Sequence, residues 1–517
     1  MEKAKEKEKN TNHHRHDKKL SYAASVSPVK VPSYAWKVLA VLSLVATMVM
    51  YAETMLIPAI PDLIKDFRVS YSMSSWILTA YLVSGAVMTP IAGKLSDIYG
   101  KKKILLIIMT IYAVGVSAAG FANNIYFMLV ARAIQGMGMA MFPIAFSIVR
   151  DQFPREKISI AQGVITSMFA SGAVIGLSVG GTIIQHFGWQ ATFFTIIPIA
   201  ISLLIVIWKF IHLNQNNYGQ KQQQEQGSGQ QSIKNHIDVK GALTLAATIT
   251  SFLLVLTFLE TGNSTNGSSM QLEVGFIAMT VISLSLFIFV ERRSDSPLID
   301  FKMLSDKVLL PANILIVIIG LSMFMVFQTI PVLVRSPVPF GFGESASNTG
   351  NVQLPFALVL LVFGPTSGFI ISKLGSLKPI IMGTIISGVG FMGLLMLHQT
   401  EVEISLSLAI LSAGLSLTSV GAMNVIILST PRQSSGISLG ISSLMRIVGA
   451  SIGPALAGMY MQSNQSIMTI GGIARFFPSL DSYNLIFLTA AIVSIVGIVV
   501  ALLLRQRVMK AAIPNVV

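Results

Sequence analysis

The segment RAIQGMGMA, residues 132–140, lies inside a run from Tyr126 to Val149 that is otherwise almost wholly apolar. That run is long enough to cross a bilayer as a helix. An arginine there needs a reason. At the centre of a membrane helix a guanidinium costs roughly 2.5–3.5 kcal/mol on insertion scales, so it either snorkels from near a helix end or faces a protein interior with a partner. Arg132 stands near enough to one end of its run to snorkel, but Gln135, Gly136 and Met139 follow it at i+3, i+4 and i+7 and share its helical face. A small, polar face of this kind favours burial. Glu53, in the first apolar run of the chain, is the candidate partner.

Composition fixes the solvent. Of 517 residues, 53% are hydrophobic and 11% charged, with a mean hydropathy of +0.71, whereas charged residues make up about a quarter of soluble domains. The chain is expected to be an integral membrane protein. It has no cysteine, which excludes disulfides, thiolate metal sites and cysteine nucleophiles. The formal charge of +14 does not point to nucleic acid, because the basic residues are dispersed and no aromatic-interleaved patch accompanies them. His13, His14 and His16 have no Cys or carboxylate cluster beside them to complete a metal site. No metal or cofactor is expected. HExxH and Gly-Lys phosphate-loop patterns are absent, so enzymatic chemistry is not expected either.

In order, residues 1–35 read as a disordered cytoplasmic tail and 36–213 as a six-helix unit. A Gln-rich cytoplasmic linker occupies 214–238, two inserted spans fill 239–291, and a connector covers 292–306. A second six-helix unit at 307–506 and a cytoplasmic tail at 507–517 follow. The expected architecture is all-α, with about fourteen spans. Placing the N-terminus inside assigns 30 of the 36 basic residues to cytoplasmic segments. Lys65, Arg68, Arg335 and Arg475 fall in outer loops, and Arg132 and Arg446 in spans. The bias toward one side orients both termini to the cytoplasm.

An internal repeat relates the two units. Gly93, Gly100 and Lys103 recur at an offset of 275 as Gly368, Gly375 and Lys378, and Gly172, Gly176 and Gly181 recur at an offset of 277 as Gly449, Gly453 and Gly458. Two parallel bundles facing each other across a midplane site form the architecture of alternating access. Glycines four apart also form ridges that let helices approach closely. Pro454 stands where the first ridge has Leu177, so a proline kink is expected in the second unit only.

These residues resemble the major facilitator superfamily, specifically its fourteen-span drug:proton antiporter branch. The loop GKLSDIYGKKK at 93–103 resembles the superfamily signature after span 2. RAIQGMGMA matches the span 4 motif R-x-x-Q-G-x-G-x-A at every fixed position. Gly163, Gly172, Gly176, Gly180 and Gly181 resemble the span 5 antiporter motif, and Glu53-Thr54 resembles the acid-Thr pair of span 1. Ile98 stands where the loop motif has Arg, Leu177 where the antiporter motif has Pro, and Glu53 where the branch commonly has Asp.

The resemblance implies a proton-coupled antiporter of the plasma membrane that exports lipophilic or cationic compounds. Its partners are small-molecule solutes, protons and the lipid bilayer, with no nucleic acid, and it is expected to be a monomer. Desolvation and a neighbouring cation act on a carboxylate in opposite senses, which suits Glu53 to proton exchange with Arg132 as counter-charge. A static ion pair ordering the two helices would use the same residues. Gly93, Asp97, Gly100, Lys101 and Lys102 would gate the cytoplasmic mouth. Tyr51, Tyr81, Gln135, Met139, Phe142, Gln328 and Arg446 would line the solute cavity, with Met and aromatic side chains offering adaptable packing and cation–π contact. Arg446 has no acidic neighbour in sequence, which leaves export of a specific metabolite, such as an organic anion or an amino acid derivative, as the alternative. A non-transporting sensor or scaffold is more remote, because it has no use for intramembrane charge.

Overall fold

Helix boundaries fall where the sequence supplies caps. Ser70 accepts from the backbone of Met73 to start α3, Asn124 caps α5 through Phe127, and Ser345 caps α12 through Asn348. Thr400 and Glu403 form a reciprocal capping box at the head of α14. The structure, a computed structural model, describes residues 31–153, 158–211, 239–258, 267–294, 301–430, 435–470 and 473–511. The expected N-terminal tail and Gln-rich linker lie almost wholly outside them.

The helices of the first half are α1 (Ser33–Thr54), α2 (Ile60–Phe67), α3 (Tyr71–Tyr99), α4 (Lys101–Gly120), α5 (Ile125–Gly136), α6 (Met141–Gln152), α7 (Ile158–Phe187) and α8 (Trp189–Phe210). Helices α9 (Val239–Phe258) and α10 (Gly267–Arg293) pack on each other. The second half contains α11 (Leu309–Arg335), α12 (Ala346–Leu374), α13 (Leu377–Met396), α14 (Glu401–Ser429), α15 (Ser435–Ser463) and α16 (Leu480–Ala511). Among the described residues twelve helices are long and apolar enough to cross a membrane. The other two expected positions hold α7, of 30 residues, and α9, of 20. Helix α15 runs unbroken through Pro454.

The repeat governs caps and contacts as well as glycines. Ser70 and Ser345 cap equivalent helices, and Asn124 and Thr400 do the same. Gly100 and Gly375, at φ 95° and 74°, make the corresponding left-handed turns after α3 and α12, where a side chain would be strained. A Cβ at Gly172 or Gly176 would strike α1, and one at Gly449 or Gly453 would strike α11, so each ridge seats the first helix of its own half. The last glycine of each ridge crosses instead to the other half: Gly181 meets Ala346 and Ser347, and Gly458 meets Tyr71 and Ser72.

These crossings lie at one end of the bundle. There the Tyr71 backbone N–H donates to Gln462 Oε1 at 3.0 Å and the Thr79 hydroxyl to the Ser451 carbonyl at 3.4 Å. Arg335, at the end of α11, forms a bidentate ion pair with Asp62 on α2. Toward the opposite end of the same helices, Cβ atoms at Gly93, Gly364, Gly368 and Gly440 would meet nothing within 4 Å. The halves are therefore sealed at the Asp62–Arg335 end and diverge toward the other. An antiparallel hairpin of β1 (Gln465–Ile470) and β2 (Ile473–Pro478) caps the sealed end, with Phe477 stacked on Phe340 at 6.5 Å between ring centroids.

Candidate functional site

Arg132 is fully buried and does not snorkel. Its Nε donates to the Ile77 carbonyl on α3 at 3.0 Å and its Nη1 to Gln135 Oε1 at 2.8 Å, while its guanidinium carbon lies 4.4 Å from the centroid of the Tyr81 ring. The motif spacing explains this arrangement. Gln135 at i+3 is the acceptor on the same face, and Gly136 at i+4 has no Cβ, so α5 can press onto the Tyr81 carbonyl. Gly115 on α4 likewise abuts the Gln135 backbone. Arg132, Gln135, Tyr81 and Tyr112 thus form one buried polar core inside the first half.

Glu53 lies beside this core at 2% exposure. No ion pair joins it to Arg132. Its Oε2 has no hydrogen-bond partner among the described residues, and neither do Arg132 Nη2 and the Tyr81 hydroxyl, while the Tyr112 hydroxyl lies beside the Gln135 amide. Each such orphan costs roughly 1–3 kcal/mol when dry, so three together mark a site held ready for exchangeable partners. Two guanidiniums act electrostatically on Glu53. They are Arg132 of its own half and Arg446 of the second half.

The other candidates distribute as follows. The Tyr51 hydroxyl shares a hydrogen bond with Thr195 Oγ1 at 2.8 Å. Met139 packs where a Cβ at Gly85 would fall, and Phe142 is half-buried beyond it. Gln328 donates across the halves to Ser74 Oγ at 3.1 Å while its Oε1 has no partner. Gly176 and Gly180 press α7 onto Thr54 and Met55, immediately after Glu53. Gly163 lies in α7, but the surroundings of its position lie outside the description, as does the side chain of Asp97 in the last turn of α3. Lys101 pairs with Asp151 and donates to the Ser147 carbonyl, and Lys102 donates to the Trp208 carbonyl at 2.8 Å. These contacts all stay within the first half. A small cavity of about 10 Å³ bordered by Ser322, Thr384, Ser387, Thr418 and Ser494 lies inside the second half, apart from all the candidates.

The repeat shows how one-sided the charged core is. Gly136 and Ser412 both lie against the backbone carbonyl of an equivalent residue, Tyr81 in one half and Phe356 in the other. Continuing the register, Arg132 and Gln135 correspond to Leu408 and Leu411, and Glu53, through the matching ridge contacts on α1 and α11, to Met323. The second half is apolar at every one of these positions. Phe356 stacks edge-on with Phe327, and Phe327 with Phe324, each at 5.5 Å.

Comparison with known proteins places the chain among transporters. A model of the Major Facilitator Superfamily matches residues 42–356 and 342–515. The multidrug transporter protein MdtP of Bacillus subtilis (strain 168) is 25% identical over 431 residues, covering 82% of this chain and 75% of that protein. The tetracenomycin C resistance and export protein of Streptomyces glaucescens is 27% identical over 436 residues, covering 83% and 76%. The crystal structure of the human organic anion transporter MFSD10 (TETRAN) superposes with a TM-score of 0.62 at 14% identity over 91% of this chain and 100% of that one, a likeness of fold alone. With its repeated halves, its buried charge and a family match across nearly the whole helical region, this multi-pass membrane protein belongs to the Major Facilitator Superfamily, and its relatives include proteins named for drug efflux.

Proposed function

We propose that the protein is a proton-coupled antiporter that exports lipophilic or cationic compounds across the plasma membrane by alternating access. The observation that carries this reading is Glu53: a buried carboxylate with an unpaired oxygen, on a membrane-spanning helix beside the charged core of the first of two repeated halves. The lysine-rich loops lie at the diverging end, so by the distribution of positive charge that end faces the cytoplasm. The antiport direction follows from linkage. A cationic solute and a proton compete for one carboxylate, so each weakens the other's binding by the same factor, and only one rides at a time. The apolar residues Met323, Leu408 and Leu411 of the second half, where the first half has its charged core, suit a lipophilic solute, and the relatives' names, a multidrug transporter and a tetracenomycin exporter, accord with that.

The two guanidiniums around a single carboxylate favour a second reading, export of an organic anion. Linkage then has the opposite sign, because an anion bound at Arg446 and a proton on Glu53 assist each other. Proteoliposomes under an imposed pH gradient separate the two. A cationic solute moving against protons supports antiport, an anion moving together with protons supports the second reading, and no solute flux at all contradicts both.

A further inference from the structure

Where the first half carries charge, the second buries two glutamines, Gln328 on α11 at 0% exposure and Gln353 on α12 at 1%. Gln328 Nε2 donates to Ser74 Oγ at 3.1 Å, and the Ser74 hydroxyl is itself committed to the Tyr71 carbonyl at 2.7 Å, so Gln328 Oε1 receives nothing in return. Among the described residues neither Gln328 Oε1 nor either amide atom of Gln353 has a hydrogen-bond partner. A primary amide offers two donor hydrogens and an acceptor oxygen, and burying these unpaired is costly. Gln353 keeps its whole amide free.

The two glutamines lie at one depth. Phe327 of α11 meets Phe356 of α12 with ring centroids 5.5 Å apart. From that contact Gln328 is one residue and Gln353 three residues toward the sealed end, about 1.5 and 4.5 Å along these antiparallel helices. On α12, Gly350 faces α7, since its Cβ would strike the Leu177 carbonyl, and Phe356 faces α11. Three residues turn an α-helix by about 300°, so Gln353 falls midway between those directions, in the wedge between α7 of the first half and α11 of the second. Gly176, just before Leu177, abuts Thr54, which puts Gln353 within about one helical turn of the depth of Glu53. Phe324, Phe327 and Phe356 are continuous with Met50, Tyr81 and Met139 of the first half in one buried apolar cluster.

We propose that Gln353, together with Gln328, forms a neutral hydrogen-bonding subsite for the solute, which takes an uncharged group that both donates and accepts, a carboxamide or a hydroxyl, on an otherwise lipophilic aromatic molecule. The proposal deepens the export reading above and rests on it. The solute oxygen accepts from Gln353 Nε2, and its N–H or O–H donates to Gln353 Oε1 or Gln328 Oε1. A charged group is disfavoured there, because an amide cannot neutralise it and burying an unpaired charge is costly. The phenyl rings beside the amides offer edge and face contacts to an aromatic body. Charge is read in the first half and hydrogen bonding in the second, so a solute that carries the polar group is preferred over one of equal charge and size that lacks it.

The test compares two lipophilic cations of equal charge and nearly equal shape, (para-carbamoylphenyl)triphenylphosphonium and (para-isopropylphenyl)triphenylphosphonium. Their binding to the full-length protein in detergent is measured by isothermal titration calorimetry for native, Gln353→Met and Gln328→Met proteins. Methionine matches glutamine in length, and Gln353→Met removes two unpaired buried atoms, so that variant should be at least as thermally stable as native. Gln353→Met is expected to weaken the carbamoyl probe about tenfold and leave the isopropyl probe within about twofold, and Gln328→Met to act in the same sense. Equal loss of both probes in Gln353→Met, or loss of neither, overturns the subsite. The native protein's own preference tests it without any variant: tighter binding of the carbamoyl probe supports the subsite, and equal binding of the two overturns it while the reading above stands. A native protein that binds neither probe contradicts that reading, and the subsite falls with it.

Discussion

Replacing Gly176 by alanine tests how closely the ridge on α7 holds the helix that bears Glu53. A Cβ there overlaps Thr54 Oγ1 and stands 2.9 Å from the Tyr51 carbonyl oxygen and 3.1 Å from the Met55 amide nitrogen. Two of the three obstacles are backbone and cannot rotate away. Overpacking of this kind costs about 1–3 kcal/mol, which is roughly 5- to 150-fold in an equilibrium constant. Because Thr54 follows Glu53 directly, relief by moving α1 would also shift the carboxylate. Gly364→Ala is the matched control, since its Cβ meets nothing within 4 Å. Thr54→Ala removes the one side-chain obstacle, so the double variant Gly176→Ala/Thr54→Ala should recover part of the loss but not all of it. Thermal inactivation half-lives in detergent, with solute-driven proton movement on the same preparations, provide the assay. If Gly176→Ala is as stable and active as Gly364→Ala, the close approach of α7 to α1 is not as described and the packing argument falls.

Crosslinking Asp62→Cys to Arg335→Cys should stop transport reversibly, activity returning with reductant, because the pair joins the two halves in a chain with no cysteine of its own; continued turnover in the crosslinked state would contradict alternating access through that end. Arg132→Ala should destabilise the protein by roughly 2–5 kcal/mol, since it strips Gln135 Oε1 and the Ile77 carbonyl of their buried donors; a variant with native thermal stability would show that water replaces the guanidinium at no cost. Tyr81→Phe should stabilise the protein by about 1–3 kcal/mol, because it removes a buried hydroxyl that has no partner while the ring face toward Arg132 remains; a loss of stability would reveal a bond the hydroxyl makes in another state.

How far the sequence could be read depended on whether a feature was local. The burial of Arg132 followed from its own helical face, because Gln135 and Gly136 sit at the spacings that place them beside it. The relation between the halves followed from the recurring glycines, and the caps at Ser70, Ser345, Asn124 and Thr400 repeat at nearly the same offsets. Contacts between distant segments were not legible. Arg335 reads only as an outer-loop charge and nothing singles out Asp62, because an ion pair between residues so far apart in sequence leaves no spacing to recognise. The placement of Arg446 relative to Glu53 was not legible for the same reason. The hairpin after α15 had a local signal that went unread: two β-prone runs, QSIMTI and IARFFP, flank Gly471-Gly472.

The claim on which the rest depends is that Glu53 exchanges protons with the solute. The measurement that addresses it most directly is the collapse of an imposed proton gradient in inside-out vesicles on adding lipophilic cations, for the native chain and for Glu53→Gln. Collapse with the native protein and silence from Glu53→Gln is the predicted result. Equal collapse from both would place the proton elsewhere and reduce Glu53 to a structural charge.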